Sequence, residues 1–314
     1  MENKEFVEAL HQKGTIKITP PELFLEEEVR CGYTVSREMK KVWLVMLDLL
    51  SEFDRVCKKH NLKYCVTAGT LLGAVRHKGF IPWDDDLDVQ MPRHDYDKLM
   101  QIGENEFRHP YFFQTKYTDL GMPTFFAKLR NSMTTAFTSE ETNGFIEYNK
   151  GIFMDIFPID NLPNSDLERE NYYRQIINAK NDLIREQRKI GIFSDCSRGF
   201  MFFIKKGLYN ILSFKRKHPN EFLKKFEALS KACAAYSDKD TSQITASIYS
   251  QPNKVYYNAA EVEQFISMDF EFLKVQVPCG YDSILKVLYG DWKEIKVYPP
   301  HSSFFDVERS YIEY

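Results

Sequence analysis

No stretch of the 314-residue chain approaches the roughly 18 uninterrupted apolar residues of a membrane span. The nearest, 199–212, is interrupted by Lys205 and Lys206 and followed by Lys215-Arg216-Lys217-His218. Such a basic, aromatic segment reads either as an amphipathic helix on the core or as a peripheral contact with an anionic membrane surface. Cysteine is sparse and scattered (Cys31, Cys57, Cys65, Cys196, Cys233, Cys279), with no C-x-x-C pair and no histidine at zinc-ligand spacing. That excludes a disulfide scaffold and a zinc ribbon, and a reduced, cytoplasmic chain is expected. Neither sign of charge dominates: 42 Lys and Arg against 45 Asp and Glu leave a net charge of -3. A nucleic-acid partner, which needs clustered positive charge, is therefore not expected. The opening Met1-Glu2-Asn3-Lys4-Glu5 carries both signs of charge with no apolar run behind it, so no signal peptide is expected. Internal repeats and Gly/Ser linkers are also missing.

Core-forming material is abundant, with 25 Phe, 18 Tyr and 3 Trp. Length alone would allow two domains at about 150 residues each. The order of elements argues instead for one α+β unit enlarged by helices. Residues 1–35, with a Pro20-Pro21 break and the run Glu26-Glu27-Glu28, read as an irregular N-terminal arm. Ser36 is placed to cap a helix reaching about His60, in which Val42, Val45, Met46, Leu49, Leu50, Phe53 and Val56 recur at helical spacing. Short strands are predicted over 63–67, 86–91, 111–116, 125–130 and 152–157, with one or two helical turns over 71–75 and a helix over 95–100. Ser165-Asp166-Leu167-Glu168 fits a capping box and predicts a helix to about Ile190. Further helix is expected over 200–235 and 281–288, so that about 165–250 forms a helical insertion.

The chemistry concentrates between Gly69 and Val89. Asp84, Asp85, Asp86 and Asp88 crowd five positions, and like charges this close repel unless a cation or proton neutralises them. Over 86–91, Asp86, Asp88 and Gln90 alternate with Leu87, Val89 and Met91, predicting a strand with one buried and one polar face. Asp84 has the same parity. Carboxylates on a rigid strand suit hard divalent cations such as Mg²⁺. An EF-hand loop starting at Asp84 fails, because Val89 stands where glycine is needed and Asp95 replaces the closing Glu. A D-x-D that holds a nucleotide sugar for a glycosyltransferase stays open, as does a protein that only sequesters metal. Gly69-Thr70 at a strand-to-helix turn can offer backbone N–H groups and a hydroxyl to an anion. Arg76, His77 and Lys78 follow as phosphate contacts or as a solvated basic turn. Lys128 and Arg130 share a strand face and are further candidates. Asp155 is the single charge in the apolar run 152–157, so it is either structurally paired or part of the acidic site.

The assembled segments resemble the LicD family, which includes the fukutin-related proteins. They are Ala68-Gly69-Thr70-Leu71-Leu72-Gly73, the block from Arg76 to Asp88, Pro92-Arg93-His94-Asp95-Tyr96, Lys128-Leu129-Arg130, Phe153-Met154-Asp155-Ile156-Phe157-Pro158 and Tyr289-Gly290-Asp291-Trp292. The resemblance spans about 36–301, leaving 302–314 as a tail. It implies a nucleotidyltransferase-like mixed sheet with flanking helices. It also implies a Gly-Thr turn at Gly69 and Thr70, a metal strand with Asp86 and Asp88 near Asp84, and a third acid at Asp155 that ligates the metal or takes the acceptor's hydroxyl proton. The implied activity is Mg²⁺- or Mn²⁺-dependent transfer of a phospho-substituent from a CDP-linked donor, CDP-choline foremost, to a sugar hydroxyl of a glycan or lipid-linked glycan. Ethanolamine, ribitol or glycerol phosphate are the other substituents it allows. One departure from the family lies after Tyr289-Gly290-Asp291. Members often continue into Leu-Pro-Pro, whereas here residues 293–298 intervene before Pro299-Pro300.

Overall fold

Strand pairing decides where the acids go. The computed structural model describes residues 3–137, 147–189, 219–239, 241–245, 257–297 and 303–313. Its centre is a mixed sheet, in keeping with an α+β fold. Strand β4 (Asp88–Pro92) pairs antiparallel with β3 (Cys65–Val66) and parallel with the long β8 (Ile152–Leu162). On β8, residues 152–156 pair with β6 (Ala127–Asn131), which pairs in turn with β5 (Tyr111–Gln114), and residues 160–162 pair with β9 (Gln243–Thr245). β9 carries β10 (Tyr257–Asn258).

The long helix α2 (Arg37–His60) forms as its sequence predicts. Ser36 accepts from the Met39 N–H at 3.2 Å, and Asn61 closes the other end in the left-handed region at φ 53°. Its apolar face is fully buried at Trp43, Leu44, Met46, Leu47 and Phe53. Asp48, on the same helix, is buried but satisfied: it accepts from the Lys17 and Ile18 N–H groups (2.7 and 3.0 Å) and the Tyr111 hydroxyl (2.7 Å).

Several expectations are corrected. The N-terminal arm is not irregular. It holds helix α1 (Asn3–Lys13) and a hairpin of β1 (Glu28–Arg30) and β2 (Tyr33–Val35), and Phe6, Val7, Leu10, Ile16, Phe24 and Leu25 join the main core. The apolar spacing Phe6-Val7-Leu10 carried that signal. The acid strand begins at Asp88, leaving Asp84 and Asp86 in the approach to it, and it has no solvent face. It lies between β3 and β8 with helices α3 (Ala68–His77) and α4 (Arg93–Glu106) packed on it, so Gln90 is buried and donates to the Cys65 sulfur.

Ser165 does begin α5 (Asp166–Lys189), accepting from the Glu168 N–H at 3.3 Å and donating to its carboxylate at 2.8 Å. α5 packs on α6 (Pro219–Cys233) around a separate core of Tyr172, Ile176, Leu183, Phe222 and Leu229. The insertion is not wholly helical, because β9 returns from it to the sheet. The segment 199–212 lies outside the described residues. The tail contributes β13 (Phe304–Asp306), paired with β7 (Thr135–Phe137). A hairpin of β11 (Phe265–Phe270) and β12 (Leu273–Pro278) precedes α7 (Tyr281–Tyr289). Its turn residue Glu271 receives Arg30 at 2.5 and 2.8 Å and the Phe80 N–H at 3.0 Å, tying the loop before the acids to both ends of the chain. Among the described residues no helix is long and apolar enough to cross a membrane.

Candidate active site

Asp88 is held from three sides. Its carbonyl accepts from the Thr67 N–H at 3.1 Å, and its own N–H donates to the Thr70 hydroxyl at 2.8 Å. Its neighbour across the parallel ladder is Asp155, whose N–H donates to the Leu87 carbonyl at 2.9 Å. Paired residues on adjacent strands project from the same face, so the two carboxylates are neighbours. Asp84 reaches the same place from the loop. A side chain on Gly69 would put its Cβ 2.6 Å from the Asp84 carboxylate oxygen, so only glycine admits that carboxylate beside the start of α3. There the helix dipole favours negative charge. The Trp43 indole N–H fixes the Asp84 carbonyl at 3.0 Å.

These carboxylates repel one another. Burial, then the charges of Asp86 and Asp85, push Asp84 up to about 8. Burial, then Asp86, Asp155 and Asp84, hold Asp88 well above the usual carboxylate range, and the Lys128 ammonium opposes this only in part. Lys128 pairs with Asp155 at 2.8 Å and lies 3.5 Å from the centroid of the Phe153 ring.

A cavity of about 490 Å³ opens over Asp84, Asp86 and Asp88. Ala68, Gly69, Leu72 and Arg76 of α3 form one wall, Ile81 and Trp83 a second, and residues 288–296 the third. That third wall supplies Tyr289, Asp291, Trp292, Glu294 and Lys296. Five carboxylates thus face two cationic side chains, Arg76 and Lys296. Among the described residues no three His, Cys, Asp or Glu side chains already converge as a metal cage. The donor chemistry nevertheless fits a hard divalent cation: Asp84, Asp86 and Asp88 are oxygen donors whose mutual repulsion such a cation relieves.

The cavity brings together Gly69, Arg76, Asp84, Asp86 and Asp88 from the sequence-predicted set. Asp155 and Lys128 stand beside it without lining it. Thr70 is 3% exposed, and its hydroxyl positions Asp88 from within the core. Arg76 spans the cavity, its Nη1 donating to the carbonyls of Trp292 (2.9 Å) and Glu294 (3.1 Å). His77 turns away: it accepts from Arg76 Nε at 2.9 Å, and burial with the charges of Arg76 and Arg30 pushes it down to about 4. Lys78 is exposed at the left-handed end of α3, outside the cavity. Arg130 is fully buried, donating to Gln114 (2.5 Å) and the Gly151 carbonyl (2.8 Å), and serves the core and not a ligand.

Sequence reasoning missed the third wall as a unit. Tyr289 and Trp292 lie some 200 positions from the acids, and only the family pattern marks them. The buried pair of Arg93 with Asp160 (2.6 and 3.0 Å) was missed as well, since nothing local links a residue on α4 to one on β8.

Comparison with known proteins agrees with this geometry. The family model described as LicD/FKTN/FKRP, nucleotidyltransferase domain, matches residues 61–175, which include the α3 turn, all four crowded acids and Asp155. Over 265 residues the chain is 29% identical to the lipopolysaccharide cholinephosphotransferase LicD of Haemophilus influenzae, covering 82% of this chain and 92% of that one. An uncharacterized protein of Rickettsia prowazekii is 43% identical over 75 residues, 24% of this chain and 26% of that one. From the match over the acid strand and the likeness along most of its length, the chain carries a LicD-family domain.

Proposed function

We propose that this protein transfers phosphocholine from CDP-choline to a sugar hydroxyl of a surface glycan or its lipid-linked precursor, releasing CMP, with Mg²⁺ or Mn²⁺ as cofactor. The observation that carries the reading is the cavity in which five carboxylates meet two cations. An anionic diphosphate cannot settle there without added positive charge, and oxygen donors are what a divalent cation prefers. The similarity to a lipopolysaccharide cholinephosphotransferase supports the choice of substituent and acceptor. In this reading, Asp86 and Asp88, with Asp84 beside them, would hold a divalent cation, which would supply positive charge against the donor diphosphate. The acceptor oxygen bonds to the choline-bearing phosphorus while the bond from that phosphorus to the bridging oxygen breaks, and CMP leaves. Asp155, oriented by Lys128, takes the hydroxyl proton. Arg76 fixes the third wall against α3, so that donor and acceptor meet in a set geometry. A peripheral position at the cytoplasmic face of a membrane belongs to the same proposal.

The test is a donor screen with purified protein, Mg²⁺ or Mn²⁺ and a glycan acceptor. CMP release is expected from CDP-choline and is expected to vanish in Asp88→Asn. Release of a nucleoside diphosphate from a nucleotide sugar would favour the glycosyltransferase reading, and no CMP from any CDP-linked compound would overturn the proposal.

A further inference from the structure

The cavity wall away from the acids has an unusual composition. Its side chains are the aromatic rings of Trp83, Tyr289 and Trp292, the carboxylates of Asp291 and Glu294, and Lys296, with Leu72, Ile81 and Leu288 between them. No Ser, Thr, Asn, Gln or His lines any part of this cavity among the described residues. A polyol such as glycerol or ribitol is normally read by amide and hydroxyl groups, which both donate and accept. A quaternary ammonium has no hydrogen to donate. Its diffuse charge is held by the electron-rich faces of aromatic rings and by nearby carboxylates.

The rings are also held in place. The Trp292 indole N–H donates to Asp282 at 3.2 Å, and its carbonyl accepts from Arg76. Trp83 is buried edge-on to Tyr33, with centroids 5.9 Å apart. Tyr289 is 40% exposed, the least enclosed of the three. The neighbouring Lys293 ammonium lies 5.6 Å from the Trp292 centroid.

We infer that residues 288–296, with Trp83, form the donor headgroup subsite, and that Tyr289, Trp292 and Asp291 select a quaternary ammonium over a neutral polyol. This assignment rests on the transferase reading above and names the residues that set its donor choice. It requires no metal ligand beyond those already described.

Calorimetry with the Mg²⁺-loaded protein separates the two ideas, using CDP-choline, CDP-glycerol and CDP as probes. The wild type is expected to bind CDP-choline about tenfold more tightly than CDP-glycerol. Tyr289→Leu, at an exposed position that leaves the core intact, is expected to bring the two within about twofold while leaving CDP unchanged. Tyr289→Phe, which keeps the ring, is expected to restore the preference, and Asp291→Asn to reduce it. Equal affinity for the two donors in the wild type, or an undiminished preference in both Tyr289→Leu and Trp292→Leu, would overturn the subsite. If CMP is nevertheless released from CDP-linked donors, the transferase reading survives that failure. If no CDP-linked compound binds, both fall.

Discussion

The two ends of the β4–β8 strand pair treat buried charge in opposite ways. At one end, Asp88 and Asp155 sit in register with Asp84 and Asp86 close by, and Lys128 pairs with Asp155 at 2.8 Å. Beyond the other end, Arg93 and Asp160 form a two-pronged pair, 5% and 0% exposed, with Asp97 adding a 3.4 Å contact. The second arrangement is self-sufficient: burial pushes the Arg93 value down, and the charge and hydrogen bonds of Asp160 outweigh it and raise it above its ordinary one. The first arrangement keeps Asp84 and Asp88 well above the usual carboxylate range. The fold pairs charge closely five residues away, and in the proposed function a divalent cation supplies the corresponding charge at Asp88.

Breaking the balanced end has the largest expected effect. Asp160→Ala leaves Arg93 buried without its main partner and should cost about 3–5 kcal/mol, read as a large fall in the urea midpoint. The same operation at the unbalanced end has the opposite sign. In metal-free protein, Asp84 and Asp88 keep protons at pH values where the unfolded chain has lost them, because their folded values are raised, that of Asp84 to about 8. The native state then binds more protons than the unfolded one, so stability falls as pH rises from about 4 toward 8. Asp84→Asn should therefore raise the midpoint at pH 8, and the gain should shrink as pH is lowered toward 4. Denaturation in EDTA across that range checks it.

Arg76→Ala tests the wall between these extremes. It removes three hydrogen bonds of a charged donor, two to the wall carbonyls and one to His77, each contributing about 1.5–3 kcal/mol at most, from a side chain that is only half-buried. A modest loss of stability is expected, with a rise in donor KM that exceeds any fall in kcat. The smallest effect is expected from Lys78→Gly. Lys78 is exposed, lies outside the cavity and already has a left-handed φ of 55°, so donor KM should stay within about twofold and stability within about 1 kcal/mol.

What was legible beforehand follows the range of the interactions. α2 could be read from Ser36 and its apolar spacing, and a strand near Asp88 from the alternation at 86–91, because caps and periodicity are local, whereas the polar face that alternation implied is buried at Asp88 and Gln90. The isolation of Asp155 in an apolar run left it either paired or part of the acidic site, and the structure does both, with Lys128 at 2.8 Å and Asp88 across the ladder. Contacts between distant segments were not legible: Arg93 with Asp160, Arg76 with the carbonyls of Trp292 and Glu294, and Arg30 with Glu271 depend on tertiary placement. The same limit explains why Arg130, His77 and Lys78 were grouped with the phosphate contacts. Charge type is visible in a sequence, whereas the direction a side chain faces is set by packing.

The central claim is that a divalent cation completes the unbalanced end of the strand pair. The most direct test is the thermal midpoint at pH 8 of wild type and Asp88→Asn, each with EDTA and with millimolar Mg²⁺ or Mn²⁺. The account predicts that the cation raises the wild-type midpoint and leaves that of Asp88→Asn unmoved. No shift in the wild type, or an equal shift in both, would contradict it.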